Sequence, residues 1–246
     1  MSIGDSYGFK WSGNLAVNES RAFYVEFKGP IKDKIFNKVR ADGYTEEGYH
    51  VWSTDVWTLT TIVSESYDLI DAINKDIVDV EFRGTGYCAG DVIKLRITPK
   101  LEITVNIEIT PGLVLINSGL GQNMIIAESR TITVKPGIEL DLNIEAYCLD
   151  LHKDNPSSSE SFSLRTDPGT YGEDVIKLMM SLTDAPRTQK PVAAVQIALW
   201  VITDDISIGE ISISFSLEDI RAAKWLLENA GIDISRKRLF QEAPGT

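Results

Sequence analysis

The chain has 246 residues, 43% of them hydrophobic and 24% charged, a composition that supports a buried core and excludes a disordered or fibrous polypeptide. Its formal charge of −12 repels phosphate backbones, and its Lys and Arg residues are scattered, so nucleic acid is not expected as a partner. No window approaches the roughly 20 apolar residues of a membrane span, and MSIGDSYGFKWSGN lacks the basic start and apolar core of a signal peptide.

In chain order, the first region reads as mixed β. RAFYVEF (Arg21 to Phe27) is aromatic and β-branched and stops at Gly29-Pro30; a second strand is expected within Val51 to Val63. YDLIDAINKDIVD (Tyr67 to Asp79) carries apolar residues at 69, 70, 73 and 77, the spacing of a helix face.

From Val80 the pattern shortens. VEFRGTGYC, DVIKLRIT, EITVNIEIT, LVLIN, SRTITVK and IELDLNIEAYCL are β-branched runs punctuated by Gly and Pro turns. Strands at this spacing predict an antiparallel β-sandwich. Thr104, Asn106 and Glu108 alternate with Ile103, Val105, Ile107 and Ile109, giving a wet face and a dry face. Tyr87-Cys88 and Tyr147-Cys148 echo each other. After Cys148 a polar, Ser-rich loop (His152 to Ser161) leads to one more strand at FSLRT.

Helices are expected thereafter. Gly172, Glu173 and Asp174 open an amphipathic helix through VIKLMMSL. VAAVQIALWVI reads as a mostly buried helix, with its β-branched residues keeping a strand alternative open. Ser216 caps LEDIRAAKWLLENAG, with Asp219 three residues on and Gly231 as the stop. The fold class is therefore α+β: an antiparallel β-sandwich followed by a smaller helical part. Three regions are expected in one unit: 1–79 mixed β, 80–165 sandwich, 166–246 helical.

Familiar reactive sites are poorly represented. A zinc site would need both His50 and His152 plus distant cysteines. A Cys148–His152 nucleophile pair has no oxyanion motif beside it. Asp204-Asp205, a conceivable calcium ligand pair, is more simply a solvated helix end. No metal or cofactor is expected.

Cys148 and Gln196 stand apart from these. Cys148 ends an alternating apolar run, and Gln196 interrupts an otherwise apolar one. An unpaired buried carboxamide there costs about 1–3 kcal/mol, so Gln196 needs a partner. One reading makes both ordinary core residues, Gln196 bonding a neighbouring backbone. The other uses their chemistry: a thiol and a carboxamide can expel ammonia and join as an internal thioester. A third pairs Cys148 with Cys88 in a disulfide.

YCLDLHKDNP resembles the Tyr-Cys-(aromatic or aliphatic)-(Asn/Asp) … Lys … Pro segment of thioester domains in Gram-positive surface adhesins. VQIALWVITDD is similar to their Thr-Gln-x-Ala-(Ile/Val)-Trp … Thr-Asp segment, with Val195 standing where the family carries Thr. The resemblance covers Glu145 to Ser207. It implies a Cys148–Gln196 thioester, supported by Trp200, Thr203 and Asp204, that captures a partner's lysine amine at the cell surface. It implies no cofactor and a single turnover, so the chain would not be an enzyme. The rival expectation is a non-covalent β-sandwich module for structure or protein binding, cytoplasmic in the absence of a signal peptide.

Overall fold

The computed structural model describes residues 2–5, 10–12, 35–45, 48–59, 65–183, 185 and 190–242. The chain divides into two compact units, 1–64 and 65–246. In the first, strands β1 (Ser2–Asp5), β2 (Lys10–Ser12), β3 (Ile35–Tyr44) and β4 (His50–Leu59) form an antiparallel sheet in the order β2-β1-β3-β4. The expected strand at Arg21 to Phe27 lies outside the described residues, and β4 realises the first part of the Val51 to Val63 expectation.

The second unit is α+β. It opens with β5 (Glu65–Asp68) and helix α1 (Leu69–Asn74), so the segment assigned by sequence to the N-terminal region belongs here. Asp68 caps α1 by accepting from the Asp71 N–H at 2.7 Å. The helix is shorter than the apolar spacing predicts because Asp76 adopts a left-handed φ of 58°, which ends it and leads into β6 (Val78–Gly84). The remaining strands are β7 (Ala89–Pro99), β8 (Val105–Ile109), β9 (Val114–Asn117), β10 (Met124–Ile126), β11 (Arg130–Val134), β12 (Leu140–Cys148) and β13 (Ser161–Arg165).

The expected sandwich is corrected by the pairing. Six strands close into an antiparallel barrel, β10-β12-β7-β6-β13-β9, with β9 returning to β10. Closure leaves that sheet without a free edge, which two stacked sheets would have retained. The wet-and-dry alternation of β8 is seen instead in a separate three-stranded sheet, β11-β8-β5, whose β5–β8 pair is parallel.

Among the described residues four α-helices follow: α2 (Glu173–Ser181), α3 (Val192–Thr203), α4 (Leu217–Asn229) and α5 (Arg238–Glu242). Two hydrophobic clusters result. One joins the barrel to the small sheet and α1, through residues such as Phe82, Leu95, Ile107 and Leu69. The other holds the helices, with Tyr147 from the end of β12 and Leu149 just beyond it. The C-terminal end of β12 therefore sits between them, with Ile144, Ala146 and Cys148 in the first and Tyr147 in the second. Where β12 pairs with β7 the register shifts between Ile144 and Glu145, from Ile93 to Asp91. Val92 is the extra residue, and it and its neighbour Ile93 both join the barrel cluster.

α4 has the ends its sequence predicts. Ser216 and Asp219 form a reciprocal capping box, and Gly231 holds φ at 72° just past the Ala230 C-cap. Ile220, Ala222, Ala223, Leu226 and Leu227 are buried, Trp225 is half-buried, and Glu218, Arg221 and Glu228 face solvent. Leu227→Ala is expected to destabilise this unit by about 2–5 kcal/mol in urea unfolding, as for a fully buried leucine. A loss under about 0.5 kcal/mol would place α4 outside the core.

Candidate functional site

α3 is buried from Ala194 through Val201, as expected of a helix that is apolar on every side. Its single polar residue in that stretch, Gln196, has no exposed surface, and neither does Cys148. The fold brings the two together. Gln196 Oε1 accepts from the Cys148 main-chain N–H at 3.0 Å, and Gln196 Nε2 donates to the Cys148 carbonyl at 2.8 Å. The carboxamide is thus clamped on both peptide groups of residue 148, which satisfies its burial.

The same N–H also donates to the Cys88 carbonyl at 2.9 Å, a three-centre bond at the last rung of β12. Side chains alternate here: Ile144, Ala146 and Cys148 join the barrel cluster, whereas Tyr147 and Leu149 join the helical one. Tyr147 donates to Glu145 at 2.6 Å, and burial followed by that carboxylate pushes its pKa upward.

No disulfide joins the two cysteines in this structure. Cys148 is fully buried, which raises its pKa; Cys88, the acceptor of its S–H, raises it further. Cys88 is half-buried, and the hydrogen bond from Cys148 is the main reason its pKa falls from 9.0 to about 7. In the free-thiol chain, alkylation of Cys88 by iodoacetamide is therefore expected to rise with pH through a midpoint of about 7, with Cys148 protected. Cys148→Ala removes the donor and should return that midpoint towards 9.0. An unchanged midpoint in the variant would assign the shift to another cause.

The segment after Cys148 is fixed by a polar network. Asp204, at the end of α3, accepts from the Leu151 N–H at 3.3 Å and lies 2.6 Å from the Thr203 hydroxyl. Thr203 is also 3.1 Å from the Leu199 carbonyl. These two residues tie the cysteine loop to the glutamine helix. Three further residues escaped the sequence reading. Asp150 accepts from the Asn123 N–H at 3.0 Å, Lys153 Nζ at 3.1 Å and the Tyr171 hydroxyl at 2.9 Å. Asn123 Nδ2 donates to the Tyr171 hydroxyl at 2.6 Å. Asp150 was within reach, since it occupies the Asn/Asp position of YCLD; Asn123 and Tyr171 carry no local signal.

Trp200 lies one turn beyond Gln196, 1% exposed, and its indole N–H has no hydrogen-bond partner among the described residues. His152 is exposed while Cys148 is enclosed, and His50 lies in the other unit, 3.3 Å from Asp42. Asp205 has a φ of 49° and accepts from the Arg238 N–H at 3.2 Å. Among the described residues no group of three or more His, Cys, Asp or Glu could hold a metal ion, and no helix is long and apolar enough to cross a membrane.

No protein-family model, curated protein or solved structure matches the chain.

Proposed function

We propose that residues 65–246 form a covalent capture domain in which Cys148 and Gln196 supply an internal thioester. The observation that carries this reading is the enclosure of the Gln196 carboxamide against residue 148, at 2.8 and 3.0 Å from its peptide groups. Bond formation requires Cys148 Sγ and the Gln196 carbonyl carbon themselves to meet at about 3–3.5 Å, a contact for which these main-chain hydrogen bonds bring the two residues together. In the forward step the Cys148 thiol adds to the Gln196 carbonyl carbon, the C–N bond breaks, and ammonia leaves with the thiol proton. The carboxamide must first release the main chain of residue 148 so that its carbon meets Sγ.

The completed thioester would sit in a site with no solvent exposure, under the apolar cover of α3 and Trp200, which protects it from hydrolysis. A partner's lysine amine then attacks the acyl carbon, forming an amide at residue 196 and returning the proton to a free Cys148 thiol. The chain is consumed in one turnover. Such capture fits a surface-exposed binding protein, acting on a protein partner and needing no metal or cofactor.

Intact mass tests this. The native chain is expected to weigh one ammonia less than its sequence. The full mass with two titratable thiols would sink the reading.

One observation favours a second reading, a non-covalent structural or protein-binding module. The two hydrogen bonds to Cys148 already satisfy the carboxamide without a bond to sulfur. In that case Gln196 acts as a rivet between α3 and β12, and the full mass is the expected result.

A further inference from the structure

Cys88 is placed where Cys148 can reach it. Beyond its register shift, β12 pairs with β7 as Glu145↔Asp91, Ala146↔Gly90 and Tyr147↔Ala89. The next rung sets Cys148 directly opposite Cys88, and the Cys148 N–H to Cys88 carbonyl bond at 2.9 Å is made at that rung. Opposed residues of an antiparallel pair have Cα atoms about 4.5–5.5 Å apart. That lies inside the separation, about 4.4–6.8 Å, that a disulfide spans. Both side chains also pack against the same barrel cluster, so the thiols leave the ladder on one side. Cys88 is half-buried and Cys148 fully buried, which gives the pair an outer and an inner member.

We propose that Cys88 and Cys148 form a reversible disulfide that withdraws Cys148 from Gln196, so that oxidation of the pair switches the capture site off. The consequence for capture rests on the thioester reading; the disulfide itself does not. The oxidant is a low-molecular-weight disulfide. Cys88 thiolate attacks one of its sulfurs and expels one small thiolate, leaving a mixed disulfide on Cys88. Cys148 sulfur then attacks the Cys88 sulfur, and its proton leaves with the second small thiol. Two protein thiols are oxidised and one small disulfide is reduced to two thiols. The lowered pKa of Cys88, near ambient pH, suits it to the first step. Its partial exposure makes it the member an oxidant meets first, while Cys148, enclosed, acts only as the resolving thiol.

The test refolds the full chain in oxidised glutathione or in dithiothreitol and reads intact mass, linked peptides and methylamine uptake. In oxidised glutathione the chain should lose two hydrogens and keep its ammonia. Peptides bearing residues 88 and 148 should be joined, and no methylamine should add. Dithiothreitol should then restore the loss of ammonia and methylamine uptake. Cys88→Ser should lose ammonia in either medium. The native chain, opened with methylamine and then oxidised, should form the same cross-link, which guards against a refolding failure.

Retention of glutathione on Cys88 with Cys148 still titratable would overturn the disulfide. So would two free thiols after oxidation. Either result beside ammonia loss in dithiothreitol leaves the thioester reading standing. Loss of two hydrogens in oxidant beside full mass in dithiothreitol retains the disulfide and removes its role in capture.

Discussion

Truncation of Trp200 to alanine is expected to cost about 3–5 kcal/mol of stability, the range for a fully buried tryptophan. Trp200 is the largest enclosed side chain among the described residues, and it belongs to the cluster in which α3 packs with α2, α4 and the end of β12. Its unpartnered indole N–H makes the conservative change informative. A buried donor without an acceptor carries a penalty of about 1–3 kcal/mol. Trp200→Phe removes that penalty while giving up part of the packing, so its loss should be much smaller than that of Trp200→Ala. Urea unfolding of the unit formed by residues 65–246 checks both. Equal losses for the two variants would mean that the N–H finds an acceptor in solution.

Methylamine is expected to add once to the native chain, at residue 196, with release of one thiol at Cys148. The effect is all-or-none in its genetics. Cys148→Ala removes the nucleophile that activates the acyl carbon, and a plain carboxamide is inert to amines under the same conditions. Gln196→Ala removes the acyl group itself. That second variant also strips the Cys148 carbonyl of its 2.8 Å donor, whereas the Cys148 N–H keeps the Cys88 carbonyl. A moderate stability loss of about 1–3 kcal/mol should accompany it. Cys88→Ala, by contrast, should leave methylamine uptake intact. Peptide mapping locates the adduct; addition at any other residue, or addition that survives Cys148→Ala, would end the capture mechanism.

Much of the fold was legible locally. The β-branched runs from Val80 to Cys148 marked β6 to β9, β11 and β12, because alternation and Gly or Pro turns are properties of neighbouring residues. The ends of α4 were readable for the same reason, since Ser216, Asp219 and Gly231 act within a turn of their own positions. Closure of the barrel was not. It depends on β10, only Met124–Ile126 long, bridging β9 and β12, and on β13 returning to β6 and β9 across the chain. No periodicity within a strand encodes which distant strand it will meet.

The candidate site divides in the same way. Cys148 and Gln196 were conspicuous because a thiol and an amide stood in apolar surroundings; the structure sets the carboxamide on the Cys148 main chain, with the thiol in the barrel cluster. The manner of their contact was not legible: the carboxamide grips the main chain of residue 148, a partner that every residue offers. The network around Asp150 was hidden for a related reason. Asn123, Asp150 and Tyr171 come from three separated segments, and each is unremarkable alone.

The extra residue in β7 has a consequence for how this chain can vary. Side-chain direction along a strand is a matter of odd and even, and an inserted residue exchanges the two for everything beyond it. In β7 the odd positions Ile93, Leu95 and Ile97 join the barrel cluster, but across Val92 the even position Cys88 does. Deletion of Val92 would restore a single parity and leave Cys88 opposite Cys148, whereas a ladder that ran on through Val92 without the bulge would set Cys88 opposite Leu149, on the other side of the sheet from Cys148. In that unbulged ladder two thiols that face one another would become two independent thiols with neither cysteine replaced. How the ladder accommodates one residue, four positions away, thus decides whether this chain has a cysteine pair at all.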